Sequence, residues 1–259
     1  ATQRLLSSIC KRGFKNVRQM SSALHHLDLS SVLFLDIETV SGFSSYADLD
    51  PDWQKLWEDK TRWQRKDEFT AEEYYPQRAG ILAEFGKVVC VSLGVFERAH
   101  GQGRVFRLKS VFGDNELELL QELAHILDKN PDYRLCAHNG KEFDFPYLCR
   151  RFLINGLDLP KVLDIQGKKP WEIHHLDTME LWKFGDGKHF TSLKLLAKVL
   201  GIPSPKDDID GSQVGSVYWN ENDLQRIAKY CEKDTLTLAQ ILLKMRQEPI
   251  LDESEIKIV

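Results

Sequence analysis

Ser31-Val32-Leu33-Phe34-Leu35-Asp36-Ile37-Glu38-Thr39-Val40 carries the clearest structural signal of the chain. Four consecutive apolar residues, Val32 to Leu35, read as a buried strand, and acids then follow at alternate positions. Side chains alternate across a strand, so Asp36 and Glu38 share one face while Ile37 turns to the core. Two carboxylates side by side repel each other unless a cation lies between them. Taken alone, an Asp-x-Glu pair is a weak signal that a solvated strand end explains better.

Outward from this strand, Lys87–Glu97 and Arg104–Val111 read as two further strands joined by the turn His100-Gly101-Gln102-Gly103. Asp114 or Asn115 can cap a helix carrying Leu117, Leu120, Leu123 and Leu127. A short strand is expected over Arg134–Ala137 and a helix over Phe143–Ile154, and Leu176-Asp177-Thr178 opens another helical stretch. Ser192–Leu200 is helical and stops at Gly201-Ile202-Pro203, and Asn222 or Asp223 caps a last helix running through Met245. Residues 44–80 form a polar insert with Trp53, Trp57 and Trp63, of which the first two have the spacing of a helix face. Strands come first, then alternate with helices, which dominate at the end. The pattern is α/β, with helices covering a mixed sheet in a single domain.

Composition supports a packed core. Of 259 residues, 42% are hydrophobic and 29% charged, with 16 Gly and 9 Pro, which excludes a disordered or fibrous chain. The longest uncharged apolar stretch, Val88 to Phe96, is far short of the ~20 residues of a membrane span. A net charge of −4 argues against coating nucleic acid by bulk positive charge, though not against gripping one strand end locally. Cys10, Cys90, Cys136, Cys149 and Cys231 contain no Cys-x-x-Cys pair and read as free thiols of a reducing, cytoplasmic compartment. Residues 1–22 hold Arg4, Lys11, Arg12, Lys15 and Arg18 and no acid, which reads first as a peripheral extension of no chemical role and next as a transit peptide or a phosphate-contacting arm. The expected organisation is a basic extension over 1–28, one domain over 29–250 and a tail over 251–259.

Two more segments place acids where the pattern calls for apolar residues. In Asn139-Gly140-Lys141-Glu142-Phe143-Asp144, Asp144 sits between two aromatics, as a helix N-cap or as an oxygen ligand facing the first pair. In Tyr230-Cys231-Glu232-Lys233-Asp234, the Tyr and the last Asp lie one turn apart on one helix face. Together the three segments resemble the motifs of the DEDD 3′→5′ exonucleases, and Tyr230, four residues before Asp234, resembles the DEDDy branch. The resemblance covers about residues 29–245 and includes "LCAHNGKEFDFPYL", "GKKPWEIHHLDTMELWKFG" and "LGIPSPKDDIDGS". It is strongest to bacterial stand-alone predicted exonucleases similar to the proofreading domain of family-B DNA polymerases.

That resemblance implies a ribonuclease H-like mixed five-stranded sheet flanked by helices. It implies a two-metal 3′→5′ exonuclease acting on single-stranded ends, with DNA favoured over RNA. Asp36, Glu38, Asp144 and Asp234 would be the ligands of two Mg2+ or Mn2+ ions, with Tyr230 holding the attacking water. The chemistry suits these residues: two divalent ions ~3.5–4 Å apart activate water and stabilise the leaving oxygen, and oxygen donors select hard cations. A phenol with a pKa of about 10 is a poor base at neutral pH, so Tyr230 would aim the water.

Phe143 is the candidate for stacking on the terminal base or, equally, a core aromatic. Asn139 would donate to the sugar or phosphate or cap its turn, and Ile37 and Thr39 would meet the terminal sugar through backbone groups. Lys141 to Lys206 holds eleven Lys/Arg against eight Asp/Glu, and Lys168, Lys169, Lys183, Lys188 and Lys206 are candidates for strand contacts. Asp210-Gly211 reads as a turn. Little chain follows Met245, so a polymerase or repair partner would act in trans, and no membrane is expected. The rival readings are a non-catalytic nucleic-acid-binding module of the same fold and an RNA-specific exoribonuclease.

Overall fold

The computed structural model describes residues 24–66, 68–97, 103–203 and 208–259. The basic stretch 1–22, the first three residues of the predicted turn (His100, Gly101 and Gln102), Lys206 and Asp207 lie outside the described residues. The strands are β1 (Val32–Ser41), β2 (Gly86–Phe96), β3 (Phe106–Phe112), β4 (Arg134–Ala137), β5 (Leu176–Asp177) and β6 (Ile256–Ile258), in the spatial order β5-β4-β1-β2-β3-β6. β1, β2 and β3 form an antiparallel meander, while β4 runs parallel to β1 and β5 parallel to β4.

This is the mixed, helix-flanked sheet that the sequence implies, with one strand more than the five expected. The sixth comes from the stretch expected to be a tail. β6 pairs parallel with β3, and Arg104 holds its approach through Glu255 and the carbonyls of Pro249 and Ile250. Three residues at a chain end carry too little pattern to announce a strand. β5 is shorter still: Leu176 and Asp177, expected to open a helix, pair with Cys136 and Ala137 before the helix starts.

The helices are α1 (Pro51–Arg65), α2 (Ala71–Arg78), α3 (Glu116–Asp128), α4 (Asp144–Ile154), α5 (Thr178–Lys183), α6 (Leu193–Val199) and α7 (Leu224–Met245). Alternation along β1 divides them into two layers. Leu33, Leu35 and Ile37 pack with Leu120, Leu123 and Leu127 of α3 and Phe145, Leu148 and Phe152 of α4. Val32 and Phe34 point the other way, onto Leu238, Leu242 and Leu243 of α7. Burying these side chains on both faces of one strand, at roughly 1.5–3 kcal/mol each, fixes the register that places the acids.

The insert is an aromatic-cored helical hairpin. Asp50 caps α1 through the Trp53 amide, with Pro51 at the first helical position. Thr70 and Glu73 form a capping box on α2. Trp57 is fully buried among Tyr74, Tyr75 and Phe85, and Trp53 meets Phe85 edge-on at 5.5 Å. Both tryptophans therefore pack the hairpin onto the domain. The hairpin returns through Gly80, whose carbonyl accepts from Tyr147 Oη at 2.7 Å and where an added Cβ would press on the Val40 backbone. Cys90, Cys136, Cys149 and Cys231 are buried free thiols. Among the described residues no helix is long and apolar enough to cross a membrane.

Candidate functional site

β1 delivers its two acids to the face covered by α7. Asp36 lies opposite Ser92 and Glu38 opposite Cys90, and the register then slips so that Thr39 faces Val88. Val89 is the extra residue of this bulge, a device that bends a strand and re-aims its side chains. Carboxylate oxygens of Asp36 and Glu38 and the sulfur of Cys231 lie within 4.8 Å of one another. Burial first, then the charges of Asp234 and Asp144, raises the Asp36 pKa well above the usual carboxylate range. Glu38 is raised in the same way, by burial first and then by Asp36 and Asp234.

α4 brings the third acid. β4 ends at Ala137, and His138 is then clamped between Thr178 Oγ1 and the Thr191 carbonyl, each at 2.8 Å. Asn139 takes a left-handed conformation with φ 64°, a geometry that asparagine tolerates. The loop is pinned from below by Asp177, whose carboxylate accepts from the backbone amides of Asn139 (2.9 Å), Lys141 (3.1 Å), Met179 (2.9 Å) and Glu180 (3.3 Å). Asp144 then opens α4, 5% exposed, and accepts from the backbone N–H of Ile37 in β1. Burial pushes its pKa up to about 7, against the lowering effect of these backbone donors.

α7 brings the rest. Asp223 caps it by accepting from the Arg226 amide, and its apolar stripe lies on β1 and β2. On that stripe the Cys231 thiol donates to the carbonyl and to Oδ2 of Asp36, each at 3.3 Å. One residue earlier, Tyr230 donates its hydroxyl to Asp234, and burial, then the Asp234 and Glu38 charges, raises its pKa far above that of a free phenol. Gly211 lies in the turn that Asp210 closes on Ser212, where an added Cβ would be 4.0 Å from the Tyr230 hydroxyl, and Ile209 packs in the same cluster.

Asp36, Glu38, Asp144, Tyr230 and Asp234 thus act on one another electrostatically from three separate elements. The remaining candidates take different places. The Ile37 side chain is core, and its N–H is engaged by Asp144. Thr39 hydrogen-bonds Tyr147 Oη and borders a cavity of about 510 Å3 with Gln77, Gly80, Gly211 and Trp219. Phe143 is partly buried, its ring 5.3 Å from that of Tyr147. Asn139 borders a second cavity with Lys141, Lys183 and Gly187. Lys168 bonds the Asp164 carbonyl, and Lys169 lies over the exposed Trp171. His175 is structural, bonded to the Leu135 amide and the Val162 carbonyl.

Sequence reading missed Asp177 and Cys231 as parts of this site. Asp177 carries the signal of a helix N-cap, but its grip on the 139–141 loop is a tertiary relation. Cys231 directly follows Tyr230, yet only the strand–helix contact sets it against Asp36.

The donor set suits a hard divalent cation. Among the described residues no ion pair neutralises Asp36, Glu38 or Asp144, and burial, with the neighbouring acid charges second, raises their pKa values. Oxygen-rich clusters of this kind bind Mg2+ or Mn2+. Cys231, its pKa raised by burial, is a hydrogen-bond donor to Asp36 and not a thiolate ligand.

Residues 81–254 match the family described as "Predicted 3'-5' exonuclease related to the exonuclease domain of PolB". The matched stretch includes Asp144, Tyr230 and Asp234 and starts after Glu38. The chain is similar to a DNA polymerase of Pyrococcus glycovorans, 24% identical over 134 residues, 46% of this chain and 17% of the polymerase. It is similar to a DNA polymerase of Thermococcus aggregans, 23% identical over 173 residues, 58% of this chain and 9% of the polymerase. Among solved structures, the family B DNA polymerase from the hyperthermophilic archaeon Pyrobaculum calidifontis is 18% identical with a TM-score of 0.48, covering 82% of this chain and 24% of that one. The chain spans less than a fifth of the length of these curated relatives.

Proposed function

The chain belongs to the family of predicted 3′-5′ exonucleases related to the exonuclease domain of PolB, and on that premise we propose that it hydrolyses phosphodiester bonds at the 3′ end of single-stranded nucleic acid with two divalent ions. The observation that supports this most is the convergence of acids from β1, α4 and α7, close enough for their charges to act on Asp36 and Glu38. Asp36, Glu38, Asp144 and Asp234 would hold the ions, since Asp234 and Asp144 act on both Asp36 and Glu38. When bound, a pair of Mg2+ or Mn2+ ions supplies charge relief for the phosphate and eases deprotonation of water.

The chain's own residues do the positioning. The Cys231 thiol and the Ile37 amide orient Asp36 and Asp144. Tyr230 keeps its proton at neutral pH, because its pKa is raised, so it orients the attacking water and does not abstract a proton. DNA is the favoured polymer, since the curated relatives are DNA polymerases.

The test is digestion of matched 5′-labelled DNA and RNA single strands with Mg2+, Mn2+ or EDTA. A ladder shortening from the 3′ end of DNA, absent in EDTA and in Asp144→Asn, is expected. Binding without shortening at any metal concentration would replace this reading with a non-catalytic module, and a ladder from RNA alone would move the substrate.

A further inference from the structure

Phe184 carries two costs at once. It takes a left-handed backbone conformation, φ 46° and ψ 35°, unusual for a bulky residue, and its ring is 90% exposed. The turn does not require a phenylalanine there. Gly185 follows with φ 89° and could accept the left-handed geometry freely. Strained, exposed side chains of this kind concentrate at ligand clamps. Phe190 is 63% exposed and sits under Lys183 Nζ at 4.2 Å, while Trp182 and Phe184 have ring centroids 6.4 Å apart.

The location gives these rings a partner. α5 starts where β5 ends, at the same end of the sheet to which parallel β1 and β4 bring Asp36 and Asn139. A cavity of about 430 Å3 is lined by Asn139, Lys141 and Glu142 of the loop that leads into α4, and by Lys183 and Gly185 on either side of Phe184. Charge alone would not hold a strand there. Lys141 is paired with Glu180 at 2.6 Å, and the acids Glu142 and Asp177 also line the cavity. Stacking is the remaining attraction, and every nucleobase has a face to offer.

We propose that the α5–α6 turn, through Phe184 and Phe190, is a stacking platform for the bases upstream of the 3′-terminal nucleotide of a single strand whose end lies at the carboxylate cluster. This rests on the exonuclease reading for the direction of the strand. The turn would set how much more tightly a long strand is held than a short one.

The experiment is equilibrium anisotropy of 5′-fluorescein-labelled oligothymidylates, about ten nucleotides against two, with Ca2+ replacing Mg2+. Phe184→Ala, Phe190→Ala, Phe184→Gly and Phe184→Trp are compared with the wild type. The wild type should prefer the longer strand, and each alanine variant should lose on the order of 5- to 100-fold of that preference. Phe184→Trp should restore it. Phe184→Gly should lose the preference while its thermal midpoint stays equal or rises, because glycine relieves the backbone strain. A length preference within twofold of wild type in both alanine variants overturns the platform. Because binding is read without cleavage, a protein that loses the preference on Phe184→Ala yet never shortens a strand would sink the exonuclease reading and keep the platform.

Discussion

The sulfur of Cys231 lies 3.3 Å from Oδ2 of Asp36 and 3.3 Å from the carbonyl oxygen of the same residue. A side chain of α7 thereby holds both the backbone and the carboxylate of the β1 acid that Asp234 and Asp144 crowd from other elements. Removing this donor should loosen Asp36 without removing it. Cys231→Ala is expected to raise the Mn2+ concentration for half-maximal hydrolysis about fivefold, the equivalent of one hydrogen bond of ~1 kcal/mol. Cys231→Ser, which keeps a donor, should fall between the two. A metal titration of hydrolysis reads the difference.

Tyr230 tests aim against proton abstraction. Its hydroxyl, hydrogen-bonded to Asp234, has a raised pKa and stays protonated at neutral pH. Tyr230→Phe should lower turnover about 10- to 100-fold through lost alignment. The shift of thermal midpoint produced by saturating Mn2+ should be that of the wild type. An activity rise with pH that tracks a phenol and vanishes in the variant would contradict the assignment.

The crowded acids make stability fall with pH when no metal is bound. Asp36, Glu38 and Asp144 have folded pKa values above those of the unfolded chain, the last at about 7. Between the unfolded and folded values the native state binds more protons, so unfolding free energy decreases as pH rises through about 7. In EDTA, the thermal midpoint should be at least about 5 °C higher at pH 5 than at pH 8. Mn2+ should recover most of this at pH 8 and little at pH 5, and Asp144→Asn should flatten the slope. Differential scanning calorimetry across pH measures it.

Asp177 is predicted to matter for folding more than its place in a two-residue strand suggests. It caps α5 and satisfies amides of the loop that leads to Asp144. Asp177→Ala leaves those four amides, one buried and three partly buried, without their acceptor and should cost about 3 kcal/mol, against about half of that for Asp177→Asn. Urea unfolding curves give both values.

The elements legible in the sequence are those with enough length to show a period. β1 announces itself by the apolar run Val32–Leu35 followed by acids at alternate positions, and α7 by a capping Asp223 and an apolar stripe ending before Pro249. The acids of the site were legible because they interrupt those patterns. Less legible were features whose meaning lies in pairing across the chain. β5 and β6 are too short for any period, and Val89 as a bulge residue is visible only in the register with Glu38. The insert shows the reverse case. Trp53, Trp57 and Trp63 look alike in sequence, yet Trp57 is buried and Trp63 is 87% exposed, because one helix face meets Phe85 and Tyr75 and the other meets solvent.

Mn2+ binding followed by electron paramagnetic resonance, in the presence of a 5′-mononucleotide, tests the shared cation site most directly. Two ions per chain are predicted for the wild type, with loss of at least one in Asp36→Asn and in Asp144→Asn while both variants keep the wild-type circular dichroism. Stoichiometric Mn2+ binding that both variants retain unchanged would contradict the account.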